Sequence, residues 1–440
     1  MFKKALKNNF IGNIASLGIV NIANYLFPVI TVPIVARALG PEKIGIISYI
    51  AAFVTYFSLF VSYSFNITAT RRVAKDPNNQ QIINTVFSEV FNAQVLLFIV
   101  STIAFIFCIK YFVPVQSQNT LAWFSYLNCV GALFTQNWLF QAKQHLKLIA
   151  LLNLIPRLII TFFIIFFIKK ESDYIKYAFT VNSAFVLSAI LSFGWAVKKY
   201  NLKLYRVSIK QLMVLIWNDR VLFFSNVITS VYTTTGIIIL GYFMPITEVG
   251  YYTSAQKIID ILRMIIMVPI NQALFPITVK AFSESHNKGI ALLKKYLPLF
   301  ILFTIIIFFV IEISSPLVIK FLFGYRFTPS IPIFLILNVG LFFVFYGYFF
   351  GVNALLTMNM DKVYVRIQII VSVISLVLTY FLVPHFGGVG TAFIWAFSEC
   401  IISISQFYVL RKKGYILIDK NLLTFKYYKD AFKEIKLLFK

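Results

Sequence analysis

Charge is scarce in this chain. Only 12% of its residues are Asp, Glu, Lys or Arg, where a soluble domain carries about 25%. The deficit excludes an ordinary soluble enzyme, a disordered tail protein and a nucleic-acid reader. Acidic residues are rarest, 15 against 40 basic ones, leaving a net charge of +25. Cysteine and histidine are almost missing, three of each. Cys108, Cys129 and Cys400 lie in apolar stretches without ligand spacing and read as small buried hydrophobes. His145, His286 and His385 are scattered over different loops. No phosphate-cradling Gly-rich loop, nucleophile elbow or paired-carboxylate motif occurs. No loop is long enough for a catalytic or nucleotide-binding domain. The expectation is therefore a non-enzyme that needs no cofactor and no metal, and an ATP-driven pump is excluded unless another chain supplies the ATPase.

What the sequence has is apolar length. Sixty per cent of the residues are hydrophobic and the mean hydropathy is +0.84. A bilayer core is crossed by about 20 mostly apolar residues. Twelve such runs are legible, at about 10–36, 44–69, 82–109, 120–142, 148–168, 177–197, 221–244, 250–279, 297–319, 331–357, 363–383 and 387–410. Nearly all are apolar on every face, which predicts helices in lipid; barrel strands would alternate polar and apolar. Lys3, Lys4 and Lys7 resemble a signal-peptide start, but the run that follows is too long and lacks a cleavage site, so it reads as a retained first helix. With the N-terminus in the cytoplasm, 29 of the 40 basic residues fall inside, 8 outside and 3 within runs. That split is what the positive-inside rule demands. It predicts a multi-pass membrane protein with both termini cytoplasmic.

The runs divide into two sixes at the basic loop Lys198–Arg220. This gives an N-terminal lobe over 1–210, a C-terminal lobe over 211–410 and a basic tail over 411–440 that lies on anionic headgroups. The halves share a faint repeat. Pro41-Glu42-Lys43-Ile44-Gly45 after the first run matches Ile246-Thr247-Glu248-Val249-Gly250 after the seventh, at an offset of 205 residues. Six helices per half make such a repeat parallel, about an axis along the membrane normal.

A charge in mid-membrane costs about 2.5–3.5 kcal/mol on insertion scales and needs a reason. Lys257, Asp260 and Arg263 are spaced i, i+3, i+6, so Asp260 can pair with either cation. Together they keep one positive charge. Arg157 follows Pro156 in the middle of the fifth run. Arg37 and Arg71 stand at run ends, and Glu89, Glu312 and Glu399 are the other charges in or near runs. Two readings stay open: structural ion pairs and interface anchors, or a water-filled cavity with cations at several depths. The second suits an anionic substrate such as a phosphate head group. On it, Arg37, Arg71, Arg157, Lys257 and Arg263 bind substrate, and Asp260 and Glu89 are candidates for ion coupling. Asn13, Asn21, Asn24, Asn66, Asn128, Gln136, Asn137 and Trp138 either hold helices together or meet sugar hydroxyls and ring faces.

Three stretches carry a resemblance. Asn24 through Gly45 (NYLFPVITVPIVARALGPEKIG), Tyr63 through Ala74 (YSFNITATRRVA) and Val249 through Lys257 (VGYYTSAQK) resemble the bacterial polysaccharide-transporter family. These are the O-antigen and capsule repeat-unit flippases of the MOP exporter superfamily. The resemblance implies an all-α integral membrane protein, two six-helix lobes around a central cationic cavity, MATE-like in fold. It implies flipping of undecaprenyl-pyrophosphate-linked oligosaccharide across the membrane by alternating access. Membrane lipid and the lipid-linked oligosaccharide are then the partners, with a polysaccharide polymerase and chain-length proteins alongside, and no nucleic acid. Arg37 and Arg71 fall within the matching stretches. A MATE-like drug or metabolite antiporter is the alternative, disfavoured by the sign of the buried charge. The relative that flips the peptidoglycan precursor carries two further helices, which this sequence lacks.

Overall fold

The computed structural model describes residues 2–111, 117–418 and 427; for residues 2–26, 28, 146–150, 153 and 155 it describes the backbone alone. The early lysines, Asn13, Asn21 and Asn24, and most of the basic tail, lie outside the described side chains. The elements are α-helices α1 (Phe2–Ser62), α2 (Phe65–Ala74), α3 (Gln80–Tyr111), α4 (Asn119–Phe134), α5 (Asn137–Ala142), α6 (Leu146–Phe167), α7 (Tyr174–Lys199), α8 (Ile209–Phe243), α9 (Ile246–Glu284), α10 (His286–Phe323), α11 (Ser330–Gly347) and α12 (Asp361–Lys412). Short 3₁₀ turns lie at Glu171–Asp173 and Tyr325–Phe327, and a π-helix over Tyr348–Leu356 extends α11. Among the described residues, eight helical segments are long and apolar enough to cross a membrane. Their outer faces are apolar as lipid requires. Ile313, Leu317 and Phe321 line one stripe of α10 and are 80%, 71% and 71% exposed, a pattern that water would punish.

Glycine breaks the two longest helices. Gly40 inside α1 has φ 73°, ψ 170°, and Gly387 inside α12 has φ 55°, ψ −135°. A side chain is strained at both angle pairs. Pro41 then opens the next helical turn, where its missing N–H costs nothing. These breaks fall between the first and second runs and between the eleventh and twelfth.

Two compact units emerge, residues 1–253 and 254–440. The first unit takes in α8, which is tied to α1 and α2. Tyr56 Oη lies 2.6 Å from Thr235 Oγ1 and donates to the Ser230 carbonyl. Asn226 Nδ2 donates to Ser64 Oγ at 2.8 Å. In the same unit Trp138, Phe140, Phe65, Val73 and Ile83 form a buried core between α2, α3 and α5. Asn128 of α4 donates to Asn182 of α7 at 2.6 Å, the interhelical role that an amide takes in an apolar bundle.

In the second unit α11 packs along α12, with Gly340 against the Trp395 ring. Asn338 is buried and donates to Glu312 Oε2 at 2.7 Å and to the Phe308 carbonyl. Asn353 of the π-helix donates to Asn271 Oδ1 of α9 at 3.1 Å.

Candidate functional site

The densest charge lies on α9. Arg263 Nη2 stands 2.9 Å from Asp260 Oδ1, each side chain about one-third exposed. Gln256 also hydrogen-bonds to the Asp260 carboxylate. Of the two partners open to Asp260 in the sequence, the structure selects Arg263; Lys257 is more exposed and acts on Asp260 only through its charge. Glu399 of α12 is buried and near enough to feel the Arg263 charge. Lys257, Asp260, Arg263 and Glu399 thus sum to a formal charge of zero, against the single positive charge read from α9 alone. Helix spacing sees one helix at a time, and Glu399 arrives from another 136 residues away.

In the first unit the named residues are dispersed. Arg37 is exposed on α1, one turn before Gly40, and Arg71 is exposed in the last turn of α2. Arg157 is half-buried on α6 beside the buried Pro156 and has no ion pair among the described residues. Glu89 is paired, its Oε2 lying 2.6 Å from Nη2 of Arg72. A polar pocket of about 490 Å³ lies there, lined by Arg72, Glu89, Lys210, Gln211, Asn218 and Asp219. Thr68 donates to Asp219 Oδ2 at 2.7 Å. The structure therefore joins Glu89 to Arg72 and brings in Asp219, which sequence reasoning left in a loop. A signal was present. Ser208-Ile209-Lys210-Gln211 is a capping box, and Ser208 Oγ does accept from the Gln211 N–H, so the helix starts at Ile209, well before the apolar run.

The chain also bends where α1 gives way to α2. Tyr63 and Ser64 both take positive φ, 43° and 66°, an uncommon choice outside glycine. The bend is held by the Asn226–Ser64 bond and by Tyr63 stacked on Phe223 of α8 at 4.3 Å.

The faint repeat has a physical counterpart. A Cβ on Gly45 would lie 2.0 Å from the Ile246 carbonyl oxygen, and one on Gly250 would lie 1.8 Å from the Pro41 carbonyl oxygen. Each glycine packs on the carbonyl four residues before the other. The turns after the first and seventh runs thus meet backbone to backbone, and only glycine allows that approach.

These arrangements define a multi-pass helical membrane protein. Its fold is similar to that of a lipid II flippase MurJ in an inward closed conformation (TM-score 0.70, 15% identity, 92% of this chain and 89% of that one). A multidrug resistance MATE family transporter of the MOP superfamily, in an outward-facing conformation, is also similar (TM-score 0.52, 14% identity, 93% and 94% covered). The chain belongs to the polysaccharide biosynthesis protein family, whose model matches residues 10–282. It is 27% identical over 392 residues to a "Putative O-antigen transporter" of Escherichia coli (strain K12), covering 89% of this chain and 94% of that protein. It is 29% identical over 272 residues to a Shigella dysenteriae protein of the same description, covering 60% and 66%.

Proposed function

We propose that the chain is a flippase that carries undecaprenyl-pyrophosphate-linked oligosaccharide units, for O-antigen, capsule or exopolysaccharide, from the inner to the outer leaflet. Kinship along nearly its whole length with the Escherichia coli transporter carries this reading. The architecture we infer is twelve spans in two lobes, 1–210 and 211–410, around a central cavity, followed by the basic tail. The breaks at Gly40 and Gly387 support the count, since they turn α1 and α12 into two spans each.

In the proposed cycle the head group enters the cavity from the cytoplasm. Arg157, which has no ion pair among the described residues, and Arg263 meet the pyrophosphate, for which a guanidinium supplies a forked set of donors. Arg37, Arg71 and Lys257 add positive charge along the route. Rocking of the lobes then exposes the cavity outward, and the glycine-to-carbonyl contact at Gly45 and Gly250 is a closure that must open for release. Asp260, already bound to Arg263, is the group able to trade that partner for a coupling ion; Glu89 has the same position relative to Arg72.

The test is genetic. In a host whose surface polysaccharide depends on this chain, Arg157→Ala and Arg263→Ala each lower surface polysaccharide at least about tenfold, a loss of about 1.4 kcal/mol or more in transport, while membrane levels of the protein hold. Normal polysaccharide in both variants overturns the role given to these cations. The prior question is put to the native host, where deletion of the whole chain abolishes surface polysaccharide; an antiporter of drugs or metabolites would leave it intact.

A further inference from the structure

The first unit holds a small polar pocket of about 270 Å³, lined by Thr55, Ser58, Leu59 and Ser62 of α1 and Asn128 of α4. At 100° per residue the four α1 residues fall within an arc of about 100°, so one face of the helix meets the pocket. Thr55–Ser62 and Asn128 lie near the centres of the apolar runs 44–69 and 120–142. Two separate runs thus put the pocket at one depth, near mid-membrane, where polar groups are expensive.

The hydrogen bonds around this pocket are incomplete. Thr55 donates to the Ala51 carbonyl at 2.8 Å and keeps its lone pairs. The hydroxyls of Ser58 and Ser62 have no partner among the described residues. Asn182 of α7 donates to the Ala178 carbonyl, which turns its Oδ1 toward Asn128 Nδ2 at 2.6 Å. The Asn128 amide is fixed by that bond, and its own Oδ1 remains as an acceptor. Two hydroxyl donors, several acceptors and the apolar side of Leu59 thus face one space with no charged residue in its lining. The charged pocket at Arg72 differs, since Arg72 there pairs with Glu89 and Asp219 accepts from Thr68. A pyrophosphate calls for a cation and a metal ion for a carboxylate, and this lining supplies neither. It suits a neutral group whose hydroxyls both donate and accept. A sugar ring is such a group, with an apolar face for Leu59, and the pocket has room for about nine waters.

We propose that the pocket between α1 and α4 receives one sugar ring of the lipid-linked oligosaccharide, with Ser58, Ser62 and Asn128 selecting that sugar by its hydroxyls. The inference rests on the flippase reading and gives the glycan a site of its own, apart from the cations assigned to the pyrophosphate. A site that hydrogen-bonds hydroxyls discriminates strongly against a ring that lacks one, because its own groups are then left unpaired. Water alone is the competing occupant.

The experiment uses the full chain in nanodiscs of phosphatidylethanolamine and phosphatidylglycerol. The probes are the lipid-linked oligosaccharide that accumulates in the native host on deletion of this chain, and sugar-free undecaprenyl pyrophosphate. Native mass spectrometry reads the binding of each. The wild-type chain prefers the glycosylated lipid about tenfold. The double variant Ser58→Ala, Ser62→Ala removes that preference and binds the sugar-free lipid as before, which also shows that it is folded. Ser58→Val, which fills the pocket, does the same. Asn218→Ala, in the charged pocket, keeps the preference. A preference that survives in either pocket variant overturns the proposal, leaves the pocket to water and leaves the flippase reading standing. A wild-type chain without the preference, or an equal loss in Asn218→Ala, also overturns it. Failure of the deleted host to accumulate lipid-linked oligosaccharide overturns the flippase reading and the proposal together.

Discussion

At the scale of the residue, Glu89 and Glu399 face cations on other helices, which the spacing along one helix cannot reveal. Glu89 was legible as an oddity in an apolar run, but its partner Arg72 lies 17 residues back on another helix. Glu399 could not be tied to Arg263 from spacing at all. His145 is the group whose titration falls in an accessible range. Partial burial holds its imidazole below 6.5, and the nearby charges of Lys199 and Lys143 lower it further. Its Nδ1 is hydrogen-bonded to Tyr200 Oη at 2.6 Å; burial pushes that phenol up to about 12, so it keeps its proton. In the unfolded chain His145 takes up a proton from about pH 6.5 downward. The folded chain resists until lower pH, so its stability falls as pH drops below 6.5. The melting temperature in detergent should therefore fall between pH 7.5 and 5.5, and fall less in His145→Gln. Equal falls in both proteins would remove His145 from the account.

At the scale of the element, the existence of helices was written in the sequence and their ends were not. Apolar length reports where lipid is, and a helix does not stop at the lipid. α8 starts 12 residues before its predicted run, on a stretch of mixed polarity, Ile209–Arg220, capped by Ser208. The run at 44–69 is broken at Tyr63 and Ser64, where α8 supplies the contacts that hold two left-handed residues. The run at 331–357 ends in a π-helix whose Asn353 reaches Asn271. None of these has a signature in hydropathy. The turn glycines allow a sharper test. Gly45→Ala and Gly250→Ala should each destabilise by about 1–3 kcal/mol, the range for overpacking. The double variant should cost less than their sum, because both crowd one contact. Gly194 of α7 meets nothing within 4 Å, and Gly194→Ala should stabilise by about 0.4–1 kcal/mol. Thermal unfolding of the four variants decides; additive losses at 45 and 250 would separate the two glycines.

At the scale of the molecule, the family was legible in three short stretches. The sequence places its boundary in the basic loop before α8. Hydrogen bonds between Tyr56 and Thr235 and from Asn226 to Ser64 hold α8 to α1 and to the start of α2, so the first compact unit reaches Thr253. The topology we propose rests on the basic residues and is open to direct test. A fluorescent reporter fused after Asn201 should glow, as it does only in the cytoplasm. A phosphatase fused after Lys170 should be active, as it is only outside. The reverse pattern would invert the protein in the membrane and with it the direction of transport proposed above.

The contact between Gly45 and Gly250 carries a further meaning. Residue 45 touches 246 and residue 250 touches 41, so the two partners exchange roles under the offset of 205. That reciprocity is the mark of an isologous interface, in which one patch meets its own copy across a two-fold axis. A half-length ancestor with a single glycine at this turn would have made the same contact by pairing with itself. Duplication and fusion would then have enclosed a dimer interface within one chain, and each glycine is free to diverge only as far as the other permits.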